Sequence, residues 1–202
     1  MIAIIDYAAG NLRSVEKAFL YLGEKVVVTD DYREILAADR AVLPGVGAFA
    51  DAMDRLGRRG LVNVIKEYIA SGKPFLGICL GMQLMYNYSE EGNAEGLGIL
   101  SGAVRRFPEA EGCKIPQIGW NRLNILKESK LLSGVGDKPY VYFVHSYYVD
   151  AADKKSVAAQ IDYSATADVA VETENIMLTQ FHPEKSSETG LIILKNFAGR
   201  EV

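Results

Sequence analysis

Short apolar runs alternate with longer amphipathic ones through the first hundred residues, and that alternation restricts the fold more than any other feature. Ile2 to Asp6, Lys25 to Thr29, Ala41 to Leu43 and Pro74 to Cys79 are strand-like. The intervals between them can hold crossover helices, which is the pattern of βαβ units and a mostly parallel sheet. Pro74 to Cys79 is apolar without alternation and so reads as a central strand covered on both faces. Asn11 is placed to cap a helix whose Leu12, Val15, Phe19 and Leu22 share one face and which Gly23 ends. Leu61, Val64, Ile65, Tyr68 and Ile69 form a second helical stripe, closed by Gly72 and Pro74.

After about Gly96 the rhythm shortens. Gly98 to Phe107, Ile115 to Ile118, Asn121 to Leu126, Tyr140 to Val149, Ser156 to Asp162 and Asp168 to Glu172 are candidate strands with little room for helices between them, so antiparallel pairing is expected there. A strand over Ile176 to Phe181 and a helix from about Ser187 to Phe197 close the chain. With 202 residues, a single domain spanning 1–202 can bury about 70% of its unfolded surface without a disulfide or structural zinc.

The composition removes several classes of function. A net charge of −4 and a pI near 5.3 oppose the basic footprint of nucleic-acid binding. Cys79, Cys113, His145 and His182 cannot build a disulfide framework or a finger-type zinc site, so no metal is expected and a reducing cytoplasm is the expected compartment. No basic region precedes Ile2 to Asp6, which reads as a first strand and not as a signal peptide. The longest uncharged stretch, Pro74 to Ser89, falls short of the roughly 18 apolar residues of a membrane span.

Chemistry concentrates at Gly77-Ile78-Cys79-Leu80-Gly81. Glycines two residues either side of Cys79 are what a tight strand-to-helix elbow needs, and a helix N-terminus beside the sulfur favours its thiolate. Gln180-Phe181-His182-Pro183-Glu184 supplies a base with its own carboxylate. In an extended segment His182 and Glu184 point to the same side, so that Glu184 orients the imidazole. His145, in the apolar run Tyr142 to His145, is a competing base with no carboxylate near it in sequence. The amide of Leu80 and the turn Pro44-Gly45-Val46-Gly47 are candidate donors to an oxyanion, and Gly45 and Gly47 leave the Val46 peptide free to reorient. A phosphate cradle at that turn lacks both glycine-loop patterns. Gln83, four residues after Cys79, returns to its face one helical turn on. Three classes remain open on these residues: an acyl-transfer enzyme using Cys79, a thiol hydrolase or redox protein on a similar sheet, and a binding module with an inert cysteine.

Pro44-Gly45-Val46-Gly47, Gly77 to Gln83 and His182-Pro183-Glu184 together resemble the class I (triad-type) glutamine amidotransferases over nearly the whole chain. Within that class, Ile5-Asp6-Tyr7 with Gly10-Asn11-Leu12, Pro116 with Gly119-Trp120-Asn121, His145 to Tyr148 and Gln180 to Ser186 are similar to the glutaminase subunits of imidazole glycerol phosphate synthases. The resemblance implies a flavodoxin-like sheet and a Cys79–His182–Glu184 triad that hydrolyses L-glutamine to glutamate and ammonia without a cofactor. It also implies a glutamine site lined by Gln83, Glu91, Ser146 and Tyr147, and an oxyanion site at Val46, Gly47 and Leu80. The implied partner is a (β/α)8 cyclase subunit, met through Trp120 and Lys185, that uses the ammonia to make imidazole glycerol phosphate and AICAR in histidine biosynthesis. From pattern alone Glu91 is a solvated residue, Tyr147 a core one, and Trp120 part of a Gly-Trp-Asn turn.

Overall fold

The first crossover units form where the apolar patterning requires them. In the computed structural model, which describes residues 1–8 and 10–199, β1 (Ile2–Ile5), α1 (Leu12–Tyr21), β2 (Val26–Thr29), α2 (Tyr32–Ala37), β3 (Arg40–Gly45), α3 (Phe49–Arg58), α4 (Leu61–Ala70) and β4 (Phe75–Cys79) follow in order. The chain continues through α5 (Leu80–Gln83), β5 (Tyr86–Ser89), β6 (Ala94–Glu95), β7 (Leu100–Arg106), β8 (Gln117–Arg122), β9 (Asn124–Ile125), β10 (Tyr140–His145), β11 (Tyr147–Ala151), β12 (Val157–Asp162), β13 (Thr166–Glu172), β14 (Ile176–Thr179) and α6 (Ser187–Phe197).

The strands β2, β1, β3, β4 and β14 lie side by side and parallel. From β14 the same sheet runs on antiparallel through β13, β11 and β7, after which β5 adds in parallel and β6 returns. β12 pairs with β13 and carries β9, while β8 and β10 form a separate antiparallel ribbon. This is the α/β architecture expected, with its antiparallel strands in the second half.

Side chains alternate across the parallel strands, and both faces are buried. Ile4, Val42, Leu76 and Ile78 pack with Val15 and Phe19 of α1 and with Leu194 and Phe197 of α6. The rings of Phe19 and Phe197 meet at 6.1 Å. Ile5, Ala41, Leu43 and Phe75 pack on the other side with Ile35, Phe49, Leu56, Leu61, Ile65 and Tyr68 of α2, α3 and α4. The register sets Gly45 beside Cys79 and Thr179 beside Ile78. The segments leaving β3, β4 and β14 therefore open at one carboxyl edge, where open α/β sheets bind ligands.

Three local expectations are corrected. Asn11 precedes α1 in the left-handed region (φ 74°), and its side chain makes no capping bond. Tyr140 to Val149 is not one strand: it breaks at Ser146, with β10 in the ribbon and β11 in the main sheet, a change of sheet that unbroken apolar character conceals. Trp120 lies within β8 and not in a turn, because Gly119 takes a φ of 134° while pairing with Phe143. The helix after Cys79 is a single turn of four residues. Among the described residues no helix is long and apolar enough to cross a membrane.

Candidate active site

β4 ends on Cys79 with φ 54° and ψ −107°, backbone angles that a residue bearing a Cβ adopts only under strain. The neighbouring glycines leave no alternative path. A Cβ on Gly77 would stand 2.7 Å from a Leu178 methyl and 2.8 Å from the Gly81 carbonyl oxygen, and one on Gly81 would stand 1.8 Å from the Leu43 carbonyl oxygen. The elbow thus lifts a cysteine that is 7% exposed onto the carboxyl edge of the sheet. So short a helix has little macrodipole. What α5 offers the site is the N–H of its first residue, Leu80, which has no acceptor inside the helix.

β14 runs parallel to β4, and the chain leaving it reaches His182 three residues later. The segment is not extended: Pro183–Lys185 forms one 3-10 turn, and that turn brings Glu184 back against the imidazole. His182 Nδ1 donates to Glu184 Oε1 at 2.8 Å, with the two side chains 1% and 0% exposed. Asn11 Nδ2 donates to the same oxygen. His182 is held through its main chain as well. Its N–H donates to the Tyr142 carbonyl at 3.0 Å, while Ser186 Oγ donates to its carbonyl at 2.7 Å and accepts from the Tyr142 N–H at 3.0 Å. Burial by itself lowers the basicity of this imidazole. Its interactions with the Cys79 sulfur and the Glu184 carboxylate outweigh burial and push it up from 6.5 to about 10.

Beside Cys79 lies a cleft of about 290 Å³ lined by Val46, Gly47, Leu80, Gln83, Glu91, Pro116, Val144, His145, Ser146 and Tyr147. Every glutamine-site and oxyanion-site residue named from the sequence therefore borders one space. Gln83 Nε2 donates to the Tyr147 carbonyl at 3.0 Å and to Gln180 Oε1 at 2.9 Å. Gln180, which the sequence reading passed over, turns its own amide to the Cys79 sulfur at 3.6 Å. Its signals were a lone glutamine in the apolar run from Ile176 and its place at the head of the segment Gln180 to Ser186. Glu91 is not simply solvated, since its Oε2 accepts from the N–H of Phe49, the first residue of α3, at 2.9 Å. Tyr147 is half-buried and not a core residue.

The two glycines after Pro44 serve different ends. A Cβ on Gly45 would fall 2.1 Å from the Tyr7 hydroxyl, so this position is fixed by packing, and conformational freedom rests with Gly47 at φ 109°. His145 borders the cleft but is a poor base. Burial holds it down to about 4, and its Nδ1 donates to the Tyr147 carbonyl at 2.8 Å. Trp120 and Lys185 stand outside the cleft: Trp120 is 52% exposed on β8, edge-to-face with Tyr142, and the turn carrying Lys185 packs on β10. A larger open hollow of about 660 Å³ near Lys127, Lys130 and Glu172 is lined by neither cysteine nor histidine. Among the described residues no group of three or more potential ligands is placed to hold a metal ion.

Residues 3–199 match the family model described as "Glutamine amidotransferase class-I", and the chain belongs to that family. Solved structures share the fold at low identity. A glutamine amidotransferase superposes with a TM-score of 0.76 at 17% identity, covering 98% of this chain and 100% of that one. PurLQS from Thermotoga maritima superposes at 0.73 with 20% identity, covering 98% and 97%. Curated relatives narrow the class. The chain is 51% identical to imidazole glycerol phosphate synthase subunit HisH of Syntrophotalea carbinolica, covering 98% of each chain. It is 50% identical to the subunit of the same name from Caldanaerobacter subterraneus subsp. tengcongensis, covering 98% of this chain and 97% of that one.

Proposed function

We infer that this chain, a single amidotransferase domain, is the glutaminase subunit of an imidazole glycerol phosphate synthase and acts in histidine biosynthesis. The observation that carries the chemistry is the strained Cys79 elbow, which borders the cleft, beside a buried His182–Glu184 pair. An imidazole pushed up to about 10 beside Cys79 sets a proton donor against the sulfur, the arrangement that acyl transfer needs.

In the proposed reaction the Cys79 thiolate adds to the side-chain amide carbon of L-glutamine, and the amide oxygen takes the negative charge. The Leu80 amide and the turn at Val46 and Gly47 are assigned as the donors to that oxygen. His182 gives its Nε2 proton to the leaving nitrogen, ammonia departs, and a thioester to Cys79 remains. His182, now neutral, takes a proton from water, the hydroxide attacks the thioester, and glutamate leaves as Cys79 returns to the thiolate. Glu184 stabilises the imidazolium throughout. Gln83, Glu91, Ser146 and Tyr147 are assigned to the glutamine, and no cofactor is required.

The ammonia is used by a cyclase subunit, expected to be a (β/α)8 barrel, that makes imidazole glycerol phosphate and AICAR. Ile118, Trp120 and Tyr140 leave an apolar face exposed on the β8–β10 ribbon, and Lys185 lies in the turn against it, which supports docking there. An acidic chain with this role is assigned to the cytoplasm, with no part for nucleic acid or membrane. The test is steady-state glutamine hydrolysis by the chain alone, with the cyclase subunit, and with the cyclase subunit carrying its nucleotide substrate. Activity that rises mainly in kcat across the three and is lost in Cys79→Ala is expected. Hydrolysis retained by Cys79→Ala refutes the covalent mechanism, and equal kcat in all three conditions refutes gating by the partner.

A further inference from the structure

We infer that Asn11 is a positioning residue of the active site, its side-chain amide holding the Glu184 carboxylate in line with His182; this rests on the triad proposed above. Asn11 looks in sequence like a helix cap, yet it makes no capping bond to α1. It donates instead across 173 positions of sequence to Glu184 Oε1, the oxygen that accepts the His182 Nδ1 proton. Glu184 Oε2 is buried without a partner. Both donors on this carboxylate therefore converge on one oxygen. A terminal carboxyl torsion is otherwise broad and two-fold, so one donor fixes a distance while two fix the plane.

The residue type fits both demands at once. Asn11 sits at φ 74° and ψ 7°, where asparagine is among the best tolerated residues with a side chain. Glycine suits that backbone but has no donor, and aspartate would set a second carboxylate against Glu184. The placement is also fixed from both sides, because α1 packs against the Pro183–Lys185 turn, and a Cβ on the preceding Gly10 would lie 3.0 Å from a Val46 methyl. The titratable groups that act on His182 are Cys79, Glu184 and, more weakly, His145. Asn11 reaches the imidazole only through Glu184.

Asn11→Gly separates this role from backbone tolerance, since it keeps the left-handed conformation and deletes the amide. Hydrolysis is measured on the chain with its cyclase partner. Iodoacetamide alkylation of Cys79, followed by peptide mass so that Cys113 is counted apart, gives a readout independent of glutamine. Asn11→Gly is expected to lower kcat about 10- to 100-fold, the loss of a hydrogen bond to a charged group, with KM and Tm unchanged. The acid limb of the alkylation profile should move to higher pH as the imidazolium that supports the thiolate is weakened. Asn11→Asp should be at least as damaging. In a Glu184→Ala background Asn11→Gly should add nothing, because both act on one imidazole. Wild-type kcat and alkylation in Asn11→Gly, with Glu184→Ala impaired, overturns the inference and leaves the triad standing, as do fully additive effects. A Glu184→Ala variant with wild-type kcat overturns the triad itself.

Discussion

Replacing Cys79 by glycine instead of alanine separates the strain of the elbow from its chemistry. Both variants lose the sulfur and should lose hydrolysis, but only alanine keeps a Cβ at φ 54° and ψ −107°. That point lies outside the left-handed well, so the strain belongs near the top of the range of about 1–3 kcal/mol for sparsely populated backbone. Glycine gives back about 0.4–1 kcal/mol through the greater freedom of its unfolded chain and roughly 0.8 kcal/mol for the buried methyl it lacks. The balance leaves Cys79→Gly more stable than Cys79→Ala by about 1–1.5 kcal/mol, a Tm difference of about 3–5 °C at this chain length. Urea unfolding of the two inactive variants, followed by far-ultraviolet circular dichroism and showing equal m-values, measures it. An alanine variant as stable as the glycine one refutes the claim that Cys79 sits on strained backbone.

Gly81→Ala forces a Cβ to within 1.8 Å of the Leu43 carbonyl oxygen. The resulting shift of the elbow should cost at least about 100-fold in kcat/KM, measured by glutamate release. Trp120→Ala should change folding stability by less than about 1 kcal/mol, since the ring is largely exposed, yet weaken association with the cyclase more than about tenfold in a calorimetric titration. The two histidines make opposite contributions to stability against pH. His182, raised to about 10, adds stability below 6.5 that is lost as pH climbs towards 10, whereas His145, lowered to about 4, adds stability above 6.5 that is lost as pH falls towards 4. Urea titrations across pH should therefore show His182→Asn flattening the alkaline decline and His145→Asn the acid one. His145→Asn should also leave the alkylation rate of Cys79 nearly unchanged, as its imidazole is bonded to the Tyr147 carbonyl.

The parallel half of the sheet was legible because burial on both faces leaves a mark that local sequence cannot hide: an apolar run without alternation, as in Pro74 to Cys79, bounded by helix terminators. The Gly-x-Cys-x-Gly elbow was legible for a related reason, since its glycines are dictated by contacts of atomic tightness with β3 and β14. The His182–Glu184 pair was legible because its two members are two residues apart, although a 3-10 turn, and not extended chain, joins them.

Contacts between distant segments were not legible. Residues 140–149 have one apolar pattern, and nothing local reveals that β10 and β11 belong to different sheets. Gln180 and Glu91 gained their contacts with Cys79 and α3 only when strands far apart in the chain were brought together. Asn11 shows the division most sharply. Local pattern accounts for an asparagine before a helix, but its partner is 173 residues away. Periodicity reports which face of an element is buried. The hydrogen-bond partner of a polar side chain depends on which elements the sheet order makes neighbours, and that order is a property of the whole packed chain.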